Sequence, residues 1–239
     1  ADSIRLARMS NDYVYQATQS YSGRFLGFAA LPIQNIDASV AELERCIKEL
    51  GFVGWLFFSN FGPAYADDDR FSPIFDKAAK LGALVYLHPT QPSEGRTTGL
   101  GPQLAAASFG FGIDTSVTLM RLILKGVFDR NPTLKLLVGH LGEIFPFILK
   151  RIDERAKNYP RQPAVNEQLP GYYFKNNIWV TTSGQYSHEA FQCTKDVLGI
   201  EHILFGSDFP YEYPEEVDEF CDNLSISKVE QEKLFFKNA

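Results

Sequence analysis

Leu134 to Glu143, read L-K-L-L-V-G-H-L-G-E, ends an apolar run on an imidazole and places a carboxylate three residues later. A Leu- and Val-rich segment of that length suits a strand buried on both faces, and Gly139 lets the backbone turn tightly before His140. Glu143 can then fold back onto His140 and fix which ring nitrogen carries the proton, the arrangement of a general acid or base. Two further stretches share the design. Leu84 to Pro89 reads L-V-Y-L-H-P and Ile203 to Pro210 reads I-L-F-G-S-D-F-P, each an apolar strand that delivers one polar side chain, His88 or Asp208, shortly before a proline. In a parallel barrel the C-terminal ends of all strands open on one mouth, where such folds carry their chemistry. The pattern therefore predicts that His88, His140 and Asp208 share a site.

The elements that must position these side chains alternate along the chain. Residues 2–20 hold no glycine or proline and read as a helix closed by Ser22 and Gly23, and 27–32 (G-F-A-A-L-P) reads as a strand. Val40, Leu43, Ile47 and Leu50 form the stripe of a helix lying on a core, before a strand over 52–59. Asp67, Asp68 and Asp69 lack ligand spacing and read as a solvated loop. Ser72 and Pro73 open the next helix, which Gly82 stops. Beyond His88, the glycine-rich stretch Thr90 to Gly112 has the length of a functional lid or excursion. A helix is expected over 114–129, another from Pro146 to about 158, a strand over 178–184 and a helix capped by Ser187. Pro214 opens one more, and Ser227 with Glu230 has capping-box spacing for the last. Strand and helix alternate without a linker, as in a single α/β domain spanning 1–239. Six strands are visible where a closed barrel needs eight, so the expectation is either a barrel whose first two strands precede residue 1 or an open sheet.

Composition excludes several function classes. The chain of 239 residues carries a formal charge of −6 and no basic run, which argues against nucleic acid or an anionic membrane surface as partner. No uninterrupted apolar run reaches the length of a membrane helix. Cys46, Cys193 and Cys221 are odd in number and far apart, which suits neither a disulfide framework nor a structural zinc site and points to the cytoplasm. Aromatic residues make up 14% of the chain, enough to wall a pocket for a planar ring, and Phe111 in the long connection is the candidate for that wall.

L-H-P at 87–89, G-H-L-G-E at 139–143, T-T-S-G at 181–184 and S-D-F-P-Y-E at 207–212, with G-F-A-A-L-P and A-E-L-E-R-C-I-K-E-L-G-F, together resemble the amidohydrolase-related decarboxylases. That group acts on γ-resorcylate, 2,3-dihydroxybenzoate, salicylate and aminocarboxymuconate semialdehyde. The resemblance spans the chain and implies a (β/α)8 TIM barrel of the metal-dependent hydrolase superfamily, with one divalent metal, zinc or manganese, at the mouth. It implies His88 and Asp208 as metal ligands, Asp208 also as proton donor, and His140 with Glu143 as the catalytic pair. Arg151 matches an arginine that relatives send into a neighbouring subunit's site, which implies a homodimer or homotetramer. His188, in the first turn of the helix after T-T-S-G, is a further candidate for touching substrate, whereas His202 is expected to face solvent at the opposite end. The E-x-H or H-x-H pair that relatives bring from their first strand does not occur here.

The activity so implied is loss of CO₂ from a small aromatic carboxylic acid such as a hydroxybenzoate, or from a related unsaturated acid. Protonating the ring carbon first avoids a free carbanion, while a metal holds the carboxylate and an ortho hydroxyl. One rival is a metal-dependent hydrolase of a lactone or amide, although Phe57 to Asn60 offers no lysine of the kind many binuclear relatives use. The other is a metal-free, non-catalytic barrel serving as a binding subunit.

Overall fold

A computed structural model describes residues 2–21, 23–92, 97–160 and 162–239. Ser22, expected to help close the first helix, lies outside these residues. Eight strands follow in chain order: β1 (Phe28–Ala29), β2 (Gly54–Phe58), β3 (Asn60–Phe61), β4 (Ala64–Tyr65), β5 (Leu84–His88), β6 (Leu136–Val138), β7 (Ile178–Thr181) and β8 (Ile203–Leu204). The helices are α1 (Asp2–Ser20), α2 (Ile36–Lys48), α3 (Ser72–Leu81), α4 (Pro102–Ala105), α5 (Gly110–Leu124) and α6 (Val127–Arg130). They continue as α7 (Phe145–Ala156), α8 (Pro170–Asn176), α9 (His188–Leu198), α10 (Pro214–Asp222) and α11 (Lys228–Glu232).

β1, β2, β5, β6, β7 and β8 form one parallel sheet in that order, so each strand lies beside its predecessor in the chain. A doubly wound sheet would reverse its order partway across. The unreversed order is that of a (β/α)8 barrel, with the six strands read from sequence all present. Gly54 is required where β2 meets β5, because a Cβ there would stand 2.0 Å from the Leu84 carbonyl oxygen.

Alternation along the strands sorts side chains between two faces. Trp55, Phe57, Val85 and Leu87 are buried, and Trp55 and Phe57 pack on Phe75 of α3 with ring centroids 5.5 and 5.4 Å away. Residues of the other parity, Leu56, Phe58, Tyr86 and His88, face the inside of the curved sheet and are less buried. Polar contacts line that inside: Tyr86 Oη lies 3.4 Å from Thr181 Oγ1, itself 2.6 Å from Ser183 Oγ. His88 has the parity of this inner face and closes its strand.

Several local expectations change. The helix expected over 114–129 starts earlier, at Gly110, where α4 and α5 approach so closely that a Cβ would stand 2.5 Å from the Ala105 carbonyl oxygen. It stops at Leu124 because Gly126 breaks it with φ +64°, and α6 follows. Ser72 lies inside α3, since a 3-10 turn over Asp69–Phe71 runs straight into the helix and leaves Phe71 at the cap. Asp67 is buried rather than solvated, its carboxylate accepting from Arg121 Nε at 2.7 Å. His202 is half-buried, stacked 5.0 Å from Trp179 with Nδ1 2.9 Å from the Ile178 carbonyl oxygen. The span Pro102–Leu124 is long and apolar enough in composition to cross a membrane, yet α5 within it sends Leu119, Leu122 and Ile123 into the core and carries the buried Asp114.

Candidate active site

The turn after β6 is wound left-handed through four successive residues, His140 (φ 53°), Leu141 (φ 54°), Gly142 (φ 81°) and Glu143 (φ 58°). Residues other than glycine rarely adopt this region, and each costs of the order of 1–3 kcal/mol. Burial of Leu141 offsets part of that cost, as do hydrogen bonds from His140 N to Ser183 O (3.1 Å) and from Thr194 Oγ1 to Leu141 O (3.3 Å). The winding swings the Glu143 carboxylate back to 2.8 Å from His140 Nδ1. Gly112 makes room for it, since a Cβ there would meet Glu143 Oε2 at 2.5 Å. Burial by itself favours the neutral ring. The Glu143 hydrogen bond and the charges of Glu143, Asp208 and Glu212 outweigh it and hold the His140 pKa above the usual imidazole value.

The other ring edge of His140 faces Gly184, just beyond β7. A Cβ on Gly184 would stand 2.7 Å from His140 Cδ2, 3.1 Å from its Nε2 and 3.3 Å from Asp208 Oδ2, so imidazole and carboxylate converge on one bare patch of backbone. Asp208, a few residues past β8, is itself left-handed (φ 50°), with its carbonyl accepting from Tyr211 N at 2.8 Å. His140 and Glu143 open on a cleft of about 290 Å³ walled by Phe109, Phe111, Ile144 and Gly184. Phe111 is thus where an aromatic wall is expected.

His88 is held differently. Its Nδ1 lies 2.8 Å from the Pro89 carbonyl oxygen, so Nδ1–H donates there and Nε2 keeps its lone pair, the form in which imidazole binds metal. His88 Nε2 and the Asp208 carboxylate suit a divalent metal in donor chemistry. Among the described residues, however, no three His, Cys, Asp or Glu side chains gather to hold one. What the chain presents fits part of a metal site.

Two expected site residues stand apart from the cleft. His188 is exposed, its ring 5.2 Å from Phe220, on a separate groove with Cys193 and Ser225. Arg151 lies exposed on α7 without an ion pair or hydrogen bond among the described residues. Reasoning along the sequence missed Gly184, whose lack of a side chain admits both polar groups. It also missed Asp114, a buried carboxylate on α5 that accepts from Ser59 Oγ (2.6 Å) and Asn60 Nδ2 (2.8 Å) beside the His88 strand. T-T-S-G at 181–184 marked the first position, and nothing local marked the second.

A family model described as Amidohydrolase matches residues 1–239. The chain is 36% identical to the gamma-resorcylate decarboxylase of Polaromonas sp. (strain JS666) over 253 residues, covering 100% of this chain and 77% of that protein. A solved 2,6-dihydroxybenzoate decarboxylase bound to 2,6-dihydroxybenzoate superposes with a TM-score of 0.92 at 33% identity, covering 98% of this chain and 75% of that one. A dihydroxybenzoic acid decarboxylase from Polaromonas sp. JS666, carrying manganese and the inhibitor 2-nitroresorcinol, gives a TM-score of 0.92 at 33% identity over 98% of this chain and 74% of that one.

Proposed function

The chain belongs to the amidohydrolase family and to the decarboxylases within it, and from that premise we propose that it removes CO₂ from an aromatic acid bearing a hydroxyl ortho to the carboxylate. The observation that carries the reading is the convergence of His140 and Asp208 on Gly184, with Glu143 bonded to the far nitrogen of the same imidazole. Loss of CO₂ needs a proton at the ring carbon that bears the carboxylate. Asp208 delivers that proton, the C–C bond then breaks, and its electron pair returns to the ring as aromaticity is restored. His140, held by Glu143, supplies the next proton to Asp208. Phe111 and Phe109 face the substrate ring, and their walls keep water from the protonated carbon.

A divalent metal, zinc or manganese, would be held in part by His88 Nε2 and Asp208, and when bound it supplies positive charge for the carboxylate and ortho hydroxylate. Arg151, exposed on α7, reaches the site of a second copy and pairs with the substrate carboxylate there. His188 takes no part in this reading.

Changing Asp208→Asn keeps the shape and removes the transferable proton, so turnover of a 2-hydroxybenzoate should fall by roughly 10² to 10⁴. Release of CO₂ without incorporation of oxygen from water separates this activity from hydrolysis of a lactone or amide, and near-normal turnover in the variant would reject the role of Asp208. Arg151→Ala and Asp208→Asn copies, each inactive alone, should recover activity when mixed in one assembly. Verified mixed assemblies that stay inactive would place Arg151 outside the partner's site.

A further inference from the structure

The His88 ring stands edge-on to Phe58 with centroids 5.7 Å apart, and among the described residues its one ring hydrogen bond runs to the carbonyl oxygen of the residue that follows it. That carbonyl belongs to the planar peptide joining Pro89 to Thr90, whose other end is the Thr90 N–H. Thr90 N donates to Ser59 Oγ at 3.0 Å, and Ser59 Oγ donates to Asp114 Oδ2 at 2.6 Å. A carboxylate can only accept, so Asp114 claims the hydroxyl proton and leaves the Ser59 lone pairs facing Thr90. One rigid peptide plane is thereby gripped at its N–H by Ser59 and offers its C=O to His88.

The rest of the neighbourhood tightens this grip. Ser59 N donates to the His88 carbonyl oxygen at 3.0 Å, and the Ser59 carbonyl accepts from Thr118 Oγ1 at 2.8 Å. Asn60 Nδ2 donates both to Asp114 Oδ2 (2.8 Å) and to the Gln91 carbonyl oxygen (3.2 Å), so the segment following His88 is tied down on both sides. Asp114 is 3% exposed, and burial together with the nearby Asp114 charge raises the Tyr65 pKa. A buried carboxylate without a cation beside it is costly unless such donors satisfy it. Ser59 is fully buried as well, and neither residue reaches the cleft with His140.

We propose that Asp114 is a positioning residue which, through Ser59 and the 89–90 peptide, fixes His88 as the Nδ1–H tautomer and turns its Nε2 lone pair into the barrel mouth. The value of that orientation for catalysis rests on the reading of His88 as a metal ligand. The orientation itself is a property of the folded chain and can be measured without metal, substrate or turnover.

The chain contains four histidines, which makes their ring nitrogens separable by two-bond 15N–1H correlation. In mildly alkaline buffer, His88 in the wild-type chain should show the Nδ1–H pattern. Ser59→Ala leaves Thr90 N–H without its acceptor, and Asp114→Leu leaves the Ser59 hydroxyl free to turn. In both, the Nδ1–H to Nε2–H ratio of His88 should drop roughly fivefold or more, the worth of one ordinary hydrogen bond, while His202 keeps its wild-type signals. An Nε2–H wild-type His88, or an unchanged ratio in folded Ser59→Ala, would overturn the relay. An unchanged ratio in folded Asp114→Leu would overturn the part given to Asp114. Should Asp114→Leu not fold, the wild-type Ser59 hydroxyl decides: donated to a buried carboxylate, its proton should exchange slowly enough to be seen, and its absence would remove Asp114 from the relay.

Discussion

The ends of β5 and β6 present an imidazole to the same mouth by opposite means. After β6, the pairing itself is made within five residues: Gly139 turns, three non-glycine residues take left-handed backbone, and Glu143 returns to His140. After β5, the backbone needs no such strain, and His88 is placed by Ser59 and Asp114, which lie tens of residues away in sequence. The first device is local, strained and has few parts. The second is assembled from distant segments and shares its load among Ser59, Asn60, Thr90 and Thr118. Few parts should mean abrupt failure, and a shared load should mean gradual loss.

The largest effect is expected where the local device has no slack. Gly184→Ala would set a methyl 2.7 Å from His140 Cδ2 at a φ of +66°. Turnover should fall by roughly 10²-fold or more, because a displaced catalytic ring loses its alignment. Unfolding by urea should show a cost of about 1–3 kcal/mol. A variant of near-normal activity would mean that the His140 turn is as forgiving as the His88 network.

Glu143→Gln probes the same turn through its charge. The folded pKa of His140 is raised, so the Glu143 pair stabilises the fold fully below the ordinary imidazole value, about 6.5, and that contribution fades as pH rises through the folded value. The variant should therefore be less stable than wild type by roughly 1–3 kcal/mol at acidic pH, with the gap closing in alkaline buffer. Urea titrations at the two pH values check this, and a gap that widens with pH would contradict the assignment of the charge.

Asn60→Ala should do least. It takes one donor from Asp114, which keeps Ser59, and one from Gln91, so it should cost about 1 kcal/mol and leave turnover within a few-fold. A collapse of activity on this change would show that the His88 network is as brittle as the His140 turn.

The same contrast explains what could be read along the chain. All six strands of the sheet and the pairing of His140 with Glu143 were legible because their signals are local: apolar runs, glycines at turns, a carboxylate three residues from an imidazole. The Ser187 and Ser227 caps were legible for the same reason. Asp67 looked solvated because Arg121 meets it from a later helix, and His202 because Trp179 sits on a neighbouring strand. Asp114 looked like an ordinary helix residue, since only the folded sheet brings Ser59 to it. The neighbour of His188 was hidden for the same reason, since Phe220, 5.2 Å from its ring, comes from the later helix α10.

Because each strand of the sheet pairs with the one before it, a growing chain never waits for a segment not yet made. Gly54 is already in place when Leu84 emerges, and Leu136 when Ile178 does. At roughly 5–20 residues per second on the ribosome, each new strand arrives several seconds after its partner. Closing the connecting loop takes far less than a millisecond. The sheet can therefore be laid down one strand at a time, in the order of translation, with Asp208 among the last of the mouth residues to appear.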